Sequence, residues 1–265
     1  MLDALRLLAC LACVQAAPAA SPTDALPVDV ELVLAVDISL SMDEKEFALQ
    51  RAGYVEALRH PDFIRAVRAG ATGRIALTYF EWAGTVRDDA VIGWQIIDSA
   101  ESANSFADKV AARPFRSFRG TSISGALAFG TELFDRTSFE GERSVIDISG
   151  DGPNNIGPPV TATRDEAIAK SIVINGLPIL ISPSPTFSHL DQYYAQCVTG
   201  GPGSFVLPIY AATEFSTAIR RKLILEVSGI RDRIIPVDAA VPIDCLQGER
   251  DRRFLSDPYF PELDR

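Results

Sequence analysis

Soft metal ligands are scarce in this chain: of 265 residues two are histidine, His60 and His189, and four are cysteine, Cys10, Cys13, Cys197 and Cys245. Past residue 20 no Cys-x-x-Cys pair remains, which excludes a zinc site of the finger type, and both histidines are expected at the surface or as caps. Basic stretches are lacking too. Lys and Arg total 25 against 35 Asp and Glu, a formal net charge of -10, and no basic stripe exists to neutralise phosphates, so sequence-independent nucleic-acid binding is excluded. After the N-terminus no run approaches the roughly 20 apolar residues of a membrane span. What the chain does have is 47% hydrophobic residues, enough for a sizeable core.

Residues 1–20 carry an apolar segment from Leu7 to Val14 behind Arg6, then the small-residue stretches Val14-Gln15-Ala16 and Ala17-Pro18-Ala19. That pattern is expected of a secretory signal peptide, which implies a secreted or periplasmic protein. Residues 21–29 read as a linker, 30–229 as one domain, and 230–265, with several prolines and isolated charges, as an extended C-terminal tail. Cys10 and Cys13 leave with the signal. Cys197 and Cys245 then either form one disulfide that ties the tail to the domain or stay as two buried thiols.

The apolar run Val30-Glu31-Leu32-Val33-Leu34-Ala35-Val36 reads as a buried parallel strand. A helix is expected over 43–59, with Phe47, Ala48, Tyr54, Val55 and Leu58 at helical spacing. Strands follow over 74–82 and 91–97, too close in sequence for anything but an antiparallel hairpin. Helices are expected over 99–112 and 122–134, and a fourth strand over 143–149. Thr163–Ile172 reads as a helix, Asn175-Gly176 as a turn, and 177–181 as a strand whose proline marks an edge or bulge. A helix over 189–198, a short strand over 204–207 and a closing helix over 211–228 complete the series, the last with Phe215, Ile219, Leu223 and Val227 on one face. The alternation predicts an α/β, doubly wound, mostly parallel six-stranded sheet with one antiparallel edge strand and helices on both faces.

Polar residues gather where strands of such a sheet end. Asp37, Ser39 and Ser41 follow the first strand, Thr121 precedes a helix, and Asp151 follows the fourth strand. Loops at the carboxyl ends of neighbouring strands face one crevice. All five are hard oxygen donors, suited to Mg²⁺, Ca²⁺ or Mn²⁺. Two carboxylates only balance a divalent cation, so the metal retains its pull on an external anion. Ser41-Met42-Asp43-Glu44 also fits a capping box, which would explain Ser41 without a metal. Asp147 lies within the strand, Asn154 and Asn155 read as turn formers, and Asp43, Asp88 and Asp89 as solvated loop or cap residues.

The set Asp37-x-Ser39-x-Ser41, Thr121 and Asp151-Gly152, in this order of elements, resembles the metal-ion-dependent adhesion site of von Willebrand factor type A domains, over residues 28–229. The stretches Ile174–Ile179, Tyr193–Gly203 and Ala218–Leu223 are similar to a proteobacterial, signal-bearing family of such proteins of uncharacterised function, domain-of-unknown-function family 1194. The resemblance implies that Asp37, Ser39 and Ser41 are first-loop ligands, Thr121 the second-loop ligand and Asp151 the third. The function expected is metal-dependent binding of a protein partner whose Asp or Glu completes the coordination. An enzyme using Asp37 as a phosphoryl acceptor is the alternative, though Ser39 stands where haloacid-dehalogenase-like enzymes carry a second aspartate. A scaffold with a vestigial site is a third reading.

Overall fold

Val30, Leu32, Leu34 and Val36 alternate with Val33 and Ala35, and both sets are buried, so the strand that carries them must be covered on both faces. It is the central strand, β1 (Leu26–Asp37), of the computed structural model, which describes residues 25–42, 44–182, 187–229 and 242–255. The expected signal peptide and residues 21–24 of the expected linker lie outside the described residues, while Leu26 to Asp29, read as linker, are the start of β1.

β1 pairs in parallel with β2 (Ile75–Trp82) on one side and β4 (Phe139–Gly150) on the other. β3 (Val86–Ile97) pairs antiparallel with β2, and β5 (Ile172–Pro178) parallel with β4. The order is β3-β2-β1-β4-β5, with the antiparallel strand at the edge as the hairpin argument requires. The sixth position is filled by 205–209, which runs parallel to the end of β5 through two isolated bridges, Gly176↔Val206 and Ile179↔Ile209. Pro178 and Pro208 have no N–H to donate, so the ladder there is broken even though Ile209 N still donates to Pro178 O at 2.9 Å.

Helices cover both faces. Against Leu32, Leu34 and Val36 pack α1 (Glu44–Arg59), α2 (Pro61–Arg68), α3 (Ala100–Ala111) and α7 (Phe215–Ser228). The expected inner face of α7, Phe215, Ile219, Leu223 and Val227, is buried there. Against Val33 and Ala35 pack α4 (Ile123–Phe134), α5 (Val160–Ala169) and the short α6 (Leu190–Tyr193). Of the two histidines, His60 is an N-cap: its Nδ1 accepts from Asp62 N at 3.1 Å.

Four local expectations need correction. Asn175-Gly176 is not a turn but the buried middle of β5, and the strand begins at Ile172. Asn175 is held there because Nδ2 donates to Glu226 Oε2 at 2.6 Å and Oδ1 accepts from Phe205 N at 2.9 Å. Gly176 is needed because a Cβ would stand 2.7 Å from Tyr194 Cδ1, the close approach that a strand glycine often marks. The helix expected over 163–172 sits earlier, over 160–169. The one expected over 189–198 changes after α6 to a π turn, Tyr194–Val198. The tail is not extended throughout: residues 230–241 and 256–265 lie outside the described residues, but α8 (Gln247–Leu255) is helical. Of the two states left open for the cysteines, the structure has the disulfide: Cys197 and Cys245 are bonded, their Cα atoms 5.5 Å apart.

Candidate functional site

The carboxyl ends of β1 and β4 lie side by side, with Val36 opposite Ser149. The polypeptide leaves β1 through Asp37 and turns at once, because Asp37 Oδ1 accepts from Ser39 N at 2.7 Å. This is the local aspartate turn that lets a carboxylate cap its own loop. Gln50 of α1 donates to Asp37 O at 3.0 Å and fixes the strand end from behind. Ser39 Oγ and Ser41 Oγ lie 2.8 Å apart, and Ser41 Oγ donates to Asp151 Oδ1 at 2.6 Å. Ser41 is therefore engaged across the crevice. Four of the five residues picked out in the sequence are thus joined in one hydrogen-bonded chain, three of them, Ser39, Ser41 and Asp151, oxygen to oxygen.

Thr121 is 4% exposed and stands on the same edge, its Oγ1 3.8 Å from where a Cβ on Gly152 would lie. No direct hydrogen bond links it to the other four. Its position is set by residues that sequence reasoning passed over as turn formers. Asn155 Oδ1 accepts from Thr121 N at 2.9 Å, and Asn155 N donates back to Thr121 O at 2.8 Å. Asn154, wholly buried, accepts from Ser124 N at 2.9 Å at the start of α4 and donates to Pro158 O and Glu249 Oε1. Two adjacent asparagines thus bind the loop after β4 to the loop before α4. The only sequence signal for this was the unusual pairing of two amides directly after Asp151-Gly152-Pro153.

Burial and charge keep the two carboxylates protonated longer than usual. Burial, and then the negative charge of Asp151, raise Asp37 well above the ordinary carboxylate range. Asp151 is pushed up to about 6 by burial, with the charge of Glu46 adding and the Ser41 hydrogen bond opposing. Asp37 Oδ2 is buried without a hydrogen-bond partner, and so is Tyr194 Oη. A Cβ on Gly150 would lie 2.7 Å from the first and 2.9 Å from the second. A buried unpartnered carboxylate oxygen costs free energy, which makes it a strong acceptor for a cation.

The donor set fits a hard cation. Adjacent ligand oxygens around Mg²⁺ at about 2.1 Å lie about 2.9 Å apart, close to the 2.8 and 2.6 Å separations along Ser39, Ser41 and Asp151. Among the described residues there is no cluster of three or more His, Cys, Asp or Glu suited to a metal, so a cation on this edge would depend on the hydroxyls. Asp147 has a different role. Its carboxylate is buried beneath the edge, 2.9 Å from Lys222 Nζ, which also meets Glu226 at 2.6 Å. The Asp147 contact is Coulombic, since neither carboxylate oxygen has an aligned hydrogen bond.

Solved structures share this architecture. A von Willebrand factor type A protein from Catenulispora acidiphila matches with a TM-score of 0.53 at 15% identity, over 76% of this chain and 43% of that one. The proximal thread matrix protein 1 of the mussel byssus, with a zinc-occupied MIDAS motif, matches at 0.51 and 13%, over 77% and 49%. The pilus adhesin SpaC of Lactobacillus rhamnosus GG matches at 0.53 and 13%, over 76% and 31%. This chain spans less than half the length of each. No curated protein matches the sequence. The fold is therefore of the von Willebrand factor type A class. Within that class the chain belongs to the family described as protein of unknown function (DUF1194), whose profile matches residues 27–231.

Proposed function

We propose that this chain is a divalent-metal-dependent protein-binding module that works outside the cytoplasm. The observation that carries the reading is the oxygen chain Ser39–Ser41–Asp151 beside the buried, unpartnered Oδ2 of Asp37. Asp37, Ser39, Ser41, Thr121 and Asp151 would hold Mg²⁺, Ca²⁺ or Mn²⁺. When bound, the ion supplies a positive centre that an Asp or Glu of the partner can complete. The protein's own part is to balance the ion's charge with two carboxylates and no more, and to hold the edge rigid through Gln50, Asn154 and Asn155. The mussel protein's occupied motif supports metal binding on this fold. The disulfide and the signal-like leader support a location outside the cytoplasm.

Titration calorimetry with Mg²⁺, Mn²⁺ and Ca²⁺ tests the proposal. The wild type should bind at one site and Asp37→Ala should lose that binding; retained binding in the variant refutes the ligand set.

A further inference from the structure

In a chain of net charge -10, one strip of surface next to the candidate metal edge is basic. Arg113 leads into the loop Pro114-Phe115-Arg116-Ser117-Phe118-Arg119-Gly120, which ends at Thr121. The strip is built on fixed supports. Arg51 donates to Arg113 O at 2.6 Å and to Pro114 O at 3.1 Å, and the buried Glu81 holds both Arg51 and Arg113 at 2.8 and 2.9 Å. Ser117 Oγ donates to Ile38 O at 2.8 Å, and Leu40 N to Phe118 O at 2.9 Å. Phe118 bridges to Ser39 as in a parallel ladder, so the loop abuts the first-strand loop itself.

The exposed face of this loop is of mixed chemistry. Leu40 is 56% exposed, Phe115 50% and Phe118 37%. Arg87 lies over the Phe118 ring, 5.7 Å from its centroid, and Arg87 and Arg116 both hold the exposed Asp89. A shallow pocket between them is walled by Arg87, Arg113, Arg116 and Phe118. Arg51 and Arg113 are engaged with the buried Glu81, so among the described side chains of this face two half-exposed guanidinium groups, those of Arg87 and Arg116, meet the one carboxylate of Asp89. On the other side of the edge the charge reverses: the first turn of α1 carries Glu44 and Glu46.

We propose that this strip docks an acidic segment of a protein partner, which lays a carboxylate on Arg87 and Arg116 and an apolar side chain on Phe118 and Leu40. It rests on the metal-dependent reading only for a further carboxylate of the same segment, placed at the ion. The polarity of the rim, acidic at α1 and basic at the 113–119 loop, sets the segment's direction. Asp89 is the in-chain competitor that an incoming carboxylate displaces. Half-exposed positive charge beside the metal edge, in a chain that is acidic in total, selects its partner by complementarity and speeds encounter.

The test is fluorescence anisotropy with a labelled copolymer of L-glutamate and L-tyrosine, beside a lysine–tyrosine copolymer and phosphatidylserine vesicles, in Mg²⁺ and in EDTA. The acidic copolymer should bind, more weakly in EDTA. Arg87→Ala/Arg116→Ala should weaken it about three- to tenfold in both buffers, since half-exposed charge pairs contribute modestly. Asp89→Asn should strengthen it, an opposite sign that misfolding cannot produce. Wild-type affinity in the double arginine variant overturns the proposal, and so does binding of the vesicles in place of the acidic copolymer. An arginine effect that persists while Mg²⁺ and Asp37→Ala have none leaves the strip standing and refutes the metal reading instead.

Discussion

Gly150 ends β4 at the point where a methyl group would do the most harm. Its Cβ would lie 2.7 Å from Asp37 Oδ2, 2.9 Å from Tyr194 Oη and 3.2 Å from Asp37 Cβ. Its φ is not in the left-handed region, so alanine can adopt the backbone and the effect of Gly150→Ala is steric. Relief requires the Asp37 carboxylate to retreat by roughly half an ångström or Tyr194 to move within a packed layer; overpacking of this kind costs about 1–3 kcal/mol of stability. Displacing a ligand or its support lowers metal affinity about 10–100-fold. Gly152→Ala is the matched control, since its Cβ would meet only Thr121 Oγ1 at 3.8 Å, an ordinary contact. Urea unfolding and metal calorimetry on both variants measure the two quantities. If Gly150→Ala binds metal like the wild type, or Gly152→Ala is as damaged, the placement of Asp37 beside Gly150 does not govern the ion.

Other consequences follow from the buried polar groups. Lys222→Met leaves Asp147 and Glu226 buried without their shared cation and should cost about 3–5 kcal/mol in chemical unfolding, whereas replacing all three by apolar residues should cost far less. Asn154→Ala removes the acceptor of the buried Ser124 N and the donor to Pro158 O; with Ser124 N left unsatisfied it should lose about 1–3 kcal/mol and weaken metal binding through α4, as calorimetry would register. Stability should also depend on pH. Asp147 titrates at about 7, raised by burial against the pull of Lys222, Asp151 at about 6, and Asp37 well above its ordinary value. Each binds its proton more tightly folded than unfolded, so the stability they contribute is complete below about pH 4; that of Asp151 and Asp147 is lost as pH rises through about 6 and 7, and that of Asp37 above its ordinary range. Melting of the metal-free protein near pH 5 and pH 8 should give the higher midpoint at pH 5 from these groups. Mg²⁺ should raise the midpoint more at pH 8, where the carboxylates are free of protons.

The layer order was legible because β1 and the hydrophobic faces of α4 and α7 are unambiguous in period, and because polar residues cluster only where those strands end. The oxygen chain from Ser39 to Asp151 follows from that topology. The turn at Asn175-Gly176 was misread because the dipeptide is a strong turn signal, and what overrides it is tertiary: Glu226 satisfies the amide and the Tyr194 ring occupies the space of a missing Cβ. Lys222 and Glu226, four residues apart on α7, look in sequence like a solvated pair, and the Asp147 carboxylate and the Asn175 amide beside them account for their burial. Asn154 and Asn155 serve a segment 30 and 34 residues away, a link that local pattern does not carry.

The most direct test of the account is a crystal of the protein soaked in Mn²⁺ and measured for anomalous scattering. One strong peak is expected among Asp37, Ser39, Ser41, Thr121 and Asp151. A peak elsewhere, or none at this edge with Mn²⁺ in excess, would contradict it.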